Sequence, residues 1–398
     1  MTETDKLVLT VAGGIAFGYA VSLAMMFTDH FWILDSHGRP ILDDFVVFWS
    51  AGQAALKGTA LAVYDAHRLH AAEAAAIGHG FGGWLVWSYP PLFLFVAAML
   101  ASLPYAWAFI LWIATTLALY AGVAAAIAER RIAFVVACAM PWVLRVLMIG
   151  QNGLLTSALI GLVLLNLEKR PALAGLILGL LSYKPQFGIL FPLALAAGGY
   201  WRAFGWAAVG MLLWNGLAGA VFGFGTFGTF LHALSVTTDT HLVHDAIGWS
   251  KLQSVFGLAH FLGASGAAAW AAQALVSTSI AIGVVLCWRG PAPFSLKAAL
   301  LAAATVLVTP YIFVDDLPIL AVAIAFLFRH RGFDRVELAV LAVTAPCVYV
   351  SIGLSLPCAL LASLAIAAIA ARRIYSAGAL TRIRPSCATD ATSVPSSA

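Results

Sequence analysis

The chain has 398 residues, of which 63% are hydrophobic and only 10% charged. Soluble domains hold roughly 45–50% apolar residues, and one of this size would need far more polar surface to cover its core. This excludes a soluble globular protein, a disordered chain and a nucleic-acid binder with a broad basic face. The long unbroken apolar runs also argue against an outer-membrane barrel, whose strands alternate. What remains is an all-α polytopic membrane protein, in which the net charge of +4 matters less than where the charges lie.

The first apolar run, Leu7 to Phe27, is long enough to span. No small-residue cleavage site follows it, so it reads as a retained first helix. Further runs lie at 84–102, 104–128, 132–149, 153–167, 171–183, 186–199, 203–223, 267–288, 297–310, 317–328, 336–351 and 354–371. Several fall well short of the roughly 20 residues a straight span needs. Short runs joined at Pro or Gly predict broken helices around a cavity, where irregular backbone is tolerated. The expected architecture is a single membrane domain over 1–376 with about 10–13 transmembrane or re-entrant helices. A polar tail, 377–398, is expected to be disordered and cytoplasmic.

Lys and Arg cluster at Lys169-Arg170, Arg202, Arg289, Arg329 to Arg335, and Arg372-Arg373. Placing these in the cytoplasm puts loops 28–83 and 223–266 outside, with the breaks at Gln151-Asn152, Lys184–Gln186, Tyr311–Asp316 and Ser351–Pro357. The stretch 84–149 fits only if one of its three apolar runs is re-entrant. Ten of the 17 acids and nine of the ten histidines then fall outside, so any chemistry faces away from the cytoplasm. Cys138, Cys287, Cys347, Cys358 and Cys387 form no CxxC or Cys/His pattern, which suggests neither a disulfide scaffold nor a zinc site.

Three constellations have chemical potential. In the first outer loop, the pattern from Asp44 to Leu56 predicts a helix in the membrane interface, with Phe and Trp dipping into lipid. Asp43 and Asp44 lie at its N-terminal end, where carboxylates are favoured; each reads either as a cap or as a general base. Lys184-Pro185-Gln186 interrupts an apolar stretch. A lysine at that depth is costly unless it meets a partner or a cavity, so Lys184 is either a structural ion-pair partner, with Asp316 the candidate, or a cation for an anionic headgroup. Arg145 invites the same two readings. Asp315 and Asp316, between Pro310 and Pro318, are either capping acids or functional intramembrane acids. Gly150-Gln151-Asn152-Gly153 and the segment Trp249–Ser254 are weaker polar breaks. His241, His244 and Asp245 could bind a metal, but a solvated loop is the plainer reading.

The order of these motifs resembles glycosyltransferase family 87, membrane enzymes of the C-type glycosyltransferase fold. The matching residues are Asp44-Phe45, Phe48-Trp49, Ala51-Gly52, Gly58, Tyr64-Asp65, Tyr89-Pro90-Pro91, Leu103-Pro104 and Trp112. They continue through Gly150-Gln151, Ala174-Gly175, Lys184-Pro185-Gln186, Lys251, Gln253-Ser254, Thr309-Pro310-Tyr311 and Asp316-Leu317. Asp315 departs from the pattern, which has an aromatic before the Asp-Leu pair. The resemblance implies a polyprenyl-phosphate sugar donor, many relatives being mannosyltransferases, and a glycan or glycolipid acceptor outside the cytoplasm. It also implies a base in the first outer loop, and it places the chain in the bacterial cell membrane with its site facing the periplasm or exterior.

On this reading Asp44 is the catalytic base. Lys184, Gln186, Lys251, Asp316, Tyr311, Gln151 and Asp43 are substrate-binding. One base suits a single displacement with inversion. No metal or other cofactor is expected, because the donor carries one phosphate. The rival classes are a transporter of a lipid-linked or small anionic substrate, with broken helices and midplane charges, and a non-catalytic scaffold.

Overall fold

The computed structural model describes residues 2–238 and 248–382. Every regular element among them is helical, and β pairing is confined to isolated bridges around Leu34. His241, His244, Asp245 and the stretch 383–398, with Cys387, lie outside the described residues.

Helix α1 (Glu3–Thr28) opens on a capping box between Thr2 and Asp5 and is long and apolar enough to cross a membrane. The following loop carries α2 (Asp44–Leu56) and α3 (Ala66–Ile77). Helix α2 has the predicted limits but different surroundings. Phe45 and Phe48 pack inside the protein against Phe93, Tyr105, Phe109 and Trp112, not in lipid. Helix α4 (Leu94–Ala101) covers them, so close that a Cβ on Gly52 would lie 2.0 Å from the Ala97 carbonyl oxygen.

The run at 84–102 holds no helix long enough to cross a membrane. Its helical part, Pro91–Ala101, is short, and it turns back to α2, where the Trp49 Nε1 donates to the Leu103 carbonyl at 3.1 Å. Helix α5 (Tyr105–Ala128) then traverses the bundle. Helices α6 (Ile132–Cys138) and α7 (Pro141–Ile149) return as one segment bent by 61°. Pro141 opens α7, and its ring and missing N–H break the hydrogen-bond ladder there.

The chain continues through α8 (Gly153–Asn166), α9 (Pro171–Leu180), α10 (Phe191–Ala197), α11 (Trp201–Phe222), α12 (Gly225–Thr238) and α13 (Val255–Phe261). It ends in α14 (Gly266–Arg289), α15 (Phe294–Leu307), α16 (Ile319–His330), α17 (Arg335–Leu354) and α18 (Leu360–Arg382). The expected ten to thirteen helices therefore divide into six long candidate spans, one bent pair and a set of short apolar helices. Helix α18 runs on over residues 377–382, six residues past the expected start of the tail.

The short helices shape the site. Helices α8 and α15 have 14 residues each, and α16 has 12. At 1.5 Å per residue they rise about 18–21 Å, against about 30 Å of hydrocarbon. They all reach the same far end of the bundle, where ion pairs tie the helix ends together. Arg130 meets Asp5 at 2.6 Å, Arg329 meets Glu129 at 2.7 Å, and the buried Arg373 meets Glu337 through its Nε at 2.8 Å. At the near end the short helices stop early and leave a recess. Between the two ends the core is packed with small and branched side chains, such as Ala298, Ala302, Ile160 and Leu320.

Candidate active site

The recess is a cavity of about 490 Å³. Its walls come from the start of α2, the loop 81–89, α7, the turn after α7, the break after α9, the segment before α13 and the turn before α16.

The two acids of α2 have different jobs. The Asp43 Oδ1 is the N-cap: it accepts from the Phe45 and Val46 backbone N–H groups at 2.9 and 3.2 Å, and from the Tyr105 hydroxyl at 3.1 Å. Asp43 does not line the cavity. Asp44, the first helical residue, does. Its Oδ2 accepts from the Gln151 Nε2 at 3.1 Å.

Gln151 is itself held. Its Oε1 accepts from the Asn152 backbone N–H at 3.1 Å and from the Tyr89 hydroxyl at 3.3 Å, which orients the amide. The preceding Gly150 ends α7 with a φ of 67°, a left-handed turn natural to glycine. Its carbonyl is fixed by the Trp112 Nε1 at 2.8 Å. The chain thus delivers Gln151 to Asp44 at a defined angle. Burial pushes the Asp44 carboxyl above the usual carboxylate range, opposed by the Gln151 hydrogen bond and then by the charges of Arg145, Lys184 and Lys251.

Pro185 prevents the helical turn at Leu181–Tyr183 from running on, and Lys184 sits at the break. The Lys184 Nζ donates to the Asp316 Oδ1 at 2.8 Å, and both side chains are buried. It also lies 5.9 Å from the Tyr89 ring centre and 5.6 Å from that of Phe187. The other Asp316 oxygen accepts from the Phe313 backbone N–H at 3.3 Å.

Lys251 is carried by a short helical turn, Trp249–Lys251, and its side chain is exposed on the cavity wall. The neighbouring Gln253 anchors that turn. Its Nε2 donates to the Lys251 and Leu356 carbonyls, and its Oε1 accepts from the Ser351 hydroxyl and the Ala359 N–H.

The cavity therefore brings together Asp44, Gln151, Lys184, Gln186, Lys251, Tyr311 and Asp316. Of the residues expected in the site, Asp43 alone is not on its wall. Three contributors were absent from the expected set. Arg145 enters from α7, half-buried, with no carboxylate at ion-pair distance among the described residues. Asp315 lies beside the Lys184–Asp316 pair, and the loop from Phe81 to Tyr89 forms a whole wall. The apolar setting of Arg145 was a signal in the sequence; the glycine-rich Phe81–Trp84 segment was not. Three acids and three bases line the cavity. An anionic ligand can meet Arg145 and Lys251, while Asp44 is left to accept a proton. Among the described residues, no three His, Cys, Asp or Glu side chains gather into a metal site.

Compared with known proteins, the chain matches the family model described as Glycosyltransferase family 87 over residues 87–310, more than half its length. No curated protein and no solved structure matches it. The matched stretch contains Arg145, Gln151, Lys184 and Lys251, whereas Asp44, Asp315 and Asp316 lie beyond its limits and are placed by geometry.

Proposed function

The chain belongs to glycosyltransferase family 87 and is a membrane glycosyltransferase; we propose that it transfers a hexose, mannose in our reading, from a polyprenyl-phosphate donor to a glycan or glycolipid acceptor. The cavity faces away from the cytoplasm, in the cell membrane of a bacterium. The observation that carries the reading is one recess holding both a buried carboxylate, Asp44, and three cations, Arg145, Lys184 and Lys251.

The proposed step is a single displacement. The acceptor hydroxyl oxygen attacks the anomeric carbon, and the bond from that carbon to the phosphate oxygen breaks. Polyprenyl phosphate leaves with the bonding electrons. The acceptor proton passes to Asp44, and because attack comes opposite the departing phosphate, the anomeric configuration inverts. The developing phosphate charge is met by Arg145 and Lys251, with Lys184 adding its field while it remains bonded to Asp316. A lipid-borne anion suits a polar recess opened within the membrane, because the headgroup enters it while the chain stays in hydrocarbon. A transporter would need its polar groups open to both ends in turn. Against that reading stands the packed apolar core between the cavity and the ion pairs at the far end.

Purified protein supplied with polyprenyl-phosphate mannose and an octyl mannoside acceptor tests the proposal. The expected result is a new glycoside with the anomeric configuration opposite to the donor's. Transfer from a nucleotide sugar, with none from mannose, glucose or galactose on polyprenyl phosphate, would overturn it.

A further inference from the structure

We infer that Asp315 is the donor-sugar selector: its carboxylate accepts hydrogen bonds from ring hydroxyls of the hexose being transferred, and so decides which epimer reacts. The inference rests on the transferase reading above and adds to it the part of the substrate that this residue recognises.

Three carboxylates line the cavity, and two are engaged. Asp316 gives one oxygen to Lys184 and the other to the Phe313 N–H. Asp44 is held by Gln151. Asp315 is only 9% exposed, yet among the described residues its carboxylate takes part in no hydrogen bond or ion pair. It lines the cavity, so the small surface it keeps is cavity surface. A buried carboxylate left without donors is costly, and burial beside the Asp316 charge pushes this one up to about 7. A ligand bearing hydroxyl groups would supply them.

Its position is fixed as a recognition group requires. The Asp315 carbonyl oxygen lies 1.7 Å from where a Cβ on Gly153 would stand, so the turn and the first residue of α8 are in direct contact. Three residues on, the Pro318 carbonyl accepts from the Ser157 hydroxyl at 2.8 Å. The turn is thus clamped to α8 at two points, and its side chain is presented from a rigid base.

Its placement also points at the sugar. Asp315 lies close enough to feel the charges of Asp316, Lys184, Asp44 and Arg145. In a single displacement the hexose must lie between the base and the leaving phosphate, that is, between Asp44 and the cations. A neutral ring there turns its hydroxyls toward the remaining wall. A carboxylate suits this task because its two oxygens can accept from neighbouring hydroxyls at once. Epimers differ in the direction of one such hydroxyl. A site built to bond a substrate hydroxyl discriminates strongly when that hydroxyl is missing or misplaced.

The test compares the intact protein with Asp315→Asn and Asp315→Ser, using polyprenyl-phosphate mannose, glucose and galactose with an octyl mannoside acceptor. The wild type is expected to prefer one donor, and both variants should lower that preference in kcat/KM by about tenfold or more. Singly deoxygenated donors supply a second measurement on the wild type alone, independent of how the variants fold. At least one such donor should lose about tenfold or more. Equal losses for all donors in the variants, or a wild type indifferent to every deoxygenated donor, would overturn the inference and leave the transferase reading standing. A wild type that transfers from none of these donors would overturn both.

Discussion

The Lys184 ammonium and the Asp316 carboxylate are bonded at 2.8 Å although 132 residues separate them in the chain. The pair joins the break after α9 to the turn before α16, and both of these carry cavity residues. Removing one partner of a buried pair leaves an uncompensated charge, at a cost of about 3–5 kcal/mol. Lys184→Ala and Asp316→Ala should each lower the yield of folded protein and its melting temperature in detergent. The double variant should recover most of both, because neither charge is stranded. It should still transfer poorly, since the cavity has lost a cation. Full transfer by the double variant would reduce Lys184 to a structural role.

Asp43 and Asp44 are adjacent, and the structure divides capping from cavity between them. Asp44→Asn leaves the cap in place and keeps a hydrogen-bonding group beside Gln151, but removes the base. Transfer should fall by about 10²–10⁴ with the melting temperature nearly unchanged. Asp43→Ala should do the reverse. Loss of an N-cap costs about 0.5–2 kcal/mol, and the defect should appear mainly as reduced stability. Normal turnover by Asp44→Asn, with collapse in Asp316→Asn, would move the base to the second acid pair.

These partnerships mark what could be read from the sequence. The limits of α2 were legible because an acid precedes a strongly apolar helical stretch. Its surroundings were not, since hydropathy cannot distinguish a lipid neighbour from Phe93 or Phe109. The break at Lys184 was legible from Pro185, and Asp316 was already a candidate partner because a buried lysine calls for an acid; that the pair closes across 132 residues is seen only in the folded chain. Arg145 stood out as a cation in an apolar run, yet only the bend at Pro141 and the turn at Gly150 show that its side of α7 meets the cavity. The polar composition of the last residues suggested disorder from 377 on, but residues 377–382 are Ala-Gly-Ala-Leu-Thr-Arg, mostly good helix formers through which α18 can run on.

The gathering of Arg130, Arg329, Arg331, Arg372 and Arg373 at the end away from the cavity supports the proposed orientation, with that end in the cytoplasm. In a variant lacking the native cysteines, a single cysteine replacing the exposed Ser36 should react with an impermeant maleimide added to whole cells. One replacing the exposed Gly332 should react only after lysis. The opposite pattern would reverse the orientation and put the cavity in the cytoplasm.

At that same end, Arg373 is nearly inaccessible. It bonds Glu337 through Nε and donates from Nη1 to the Leu327 carbonyl at 2.6 Å and the Arg331 carbonyl at 3.1 Å. It thereby ties α18 to the connection between α16 and α17. Arg373→Met should lower the melting temperature by removing the two carbonyl bonds, and Arg373→Lys, which keeps a positive charge beside Glu337, should lower it less; in both, Arg331 and Arg372, each 3.3 Å from the Glu337 carboxylate, keep that acid paired. Thermal unfolding in detergent reads both. Because the cluster is remote from the cavity, the folded fraction of either variant should keep its KM for the donor.

The pH dependence of transfer reports on Asp44 directly. A general base works as the carboxylate, so activity should fall as the pH drops through its folded-state pKa. An ordinary aspartate titrates near 3.9. Burial raises Asp44 above that range, and the acid limb of kcat/KM should lie correspondingly higher. The Gln151 hydrogen bond favours the ionised form and holds the rise in check, as does the positive charge of Arg145. Gln151→Leu and Arg145→Gln should therefore each move the acid limb to still higher pH. The two variants should differ elsewhere: Arg145→Gln should also raise the KM for the polyprenyl-phosphate donor, because it removes a cation from the phosphate's surroundings. A purely structural role for Gln151 would lower the rate at every pH and leave the limb where it was. An acid limb that stays fixed in both variants, while disappearing in Asp316→Asn, would show that the titrating base is not Asp44.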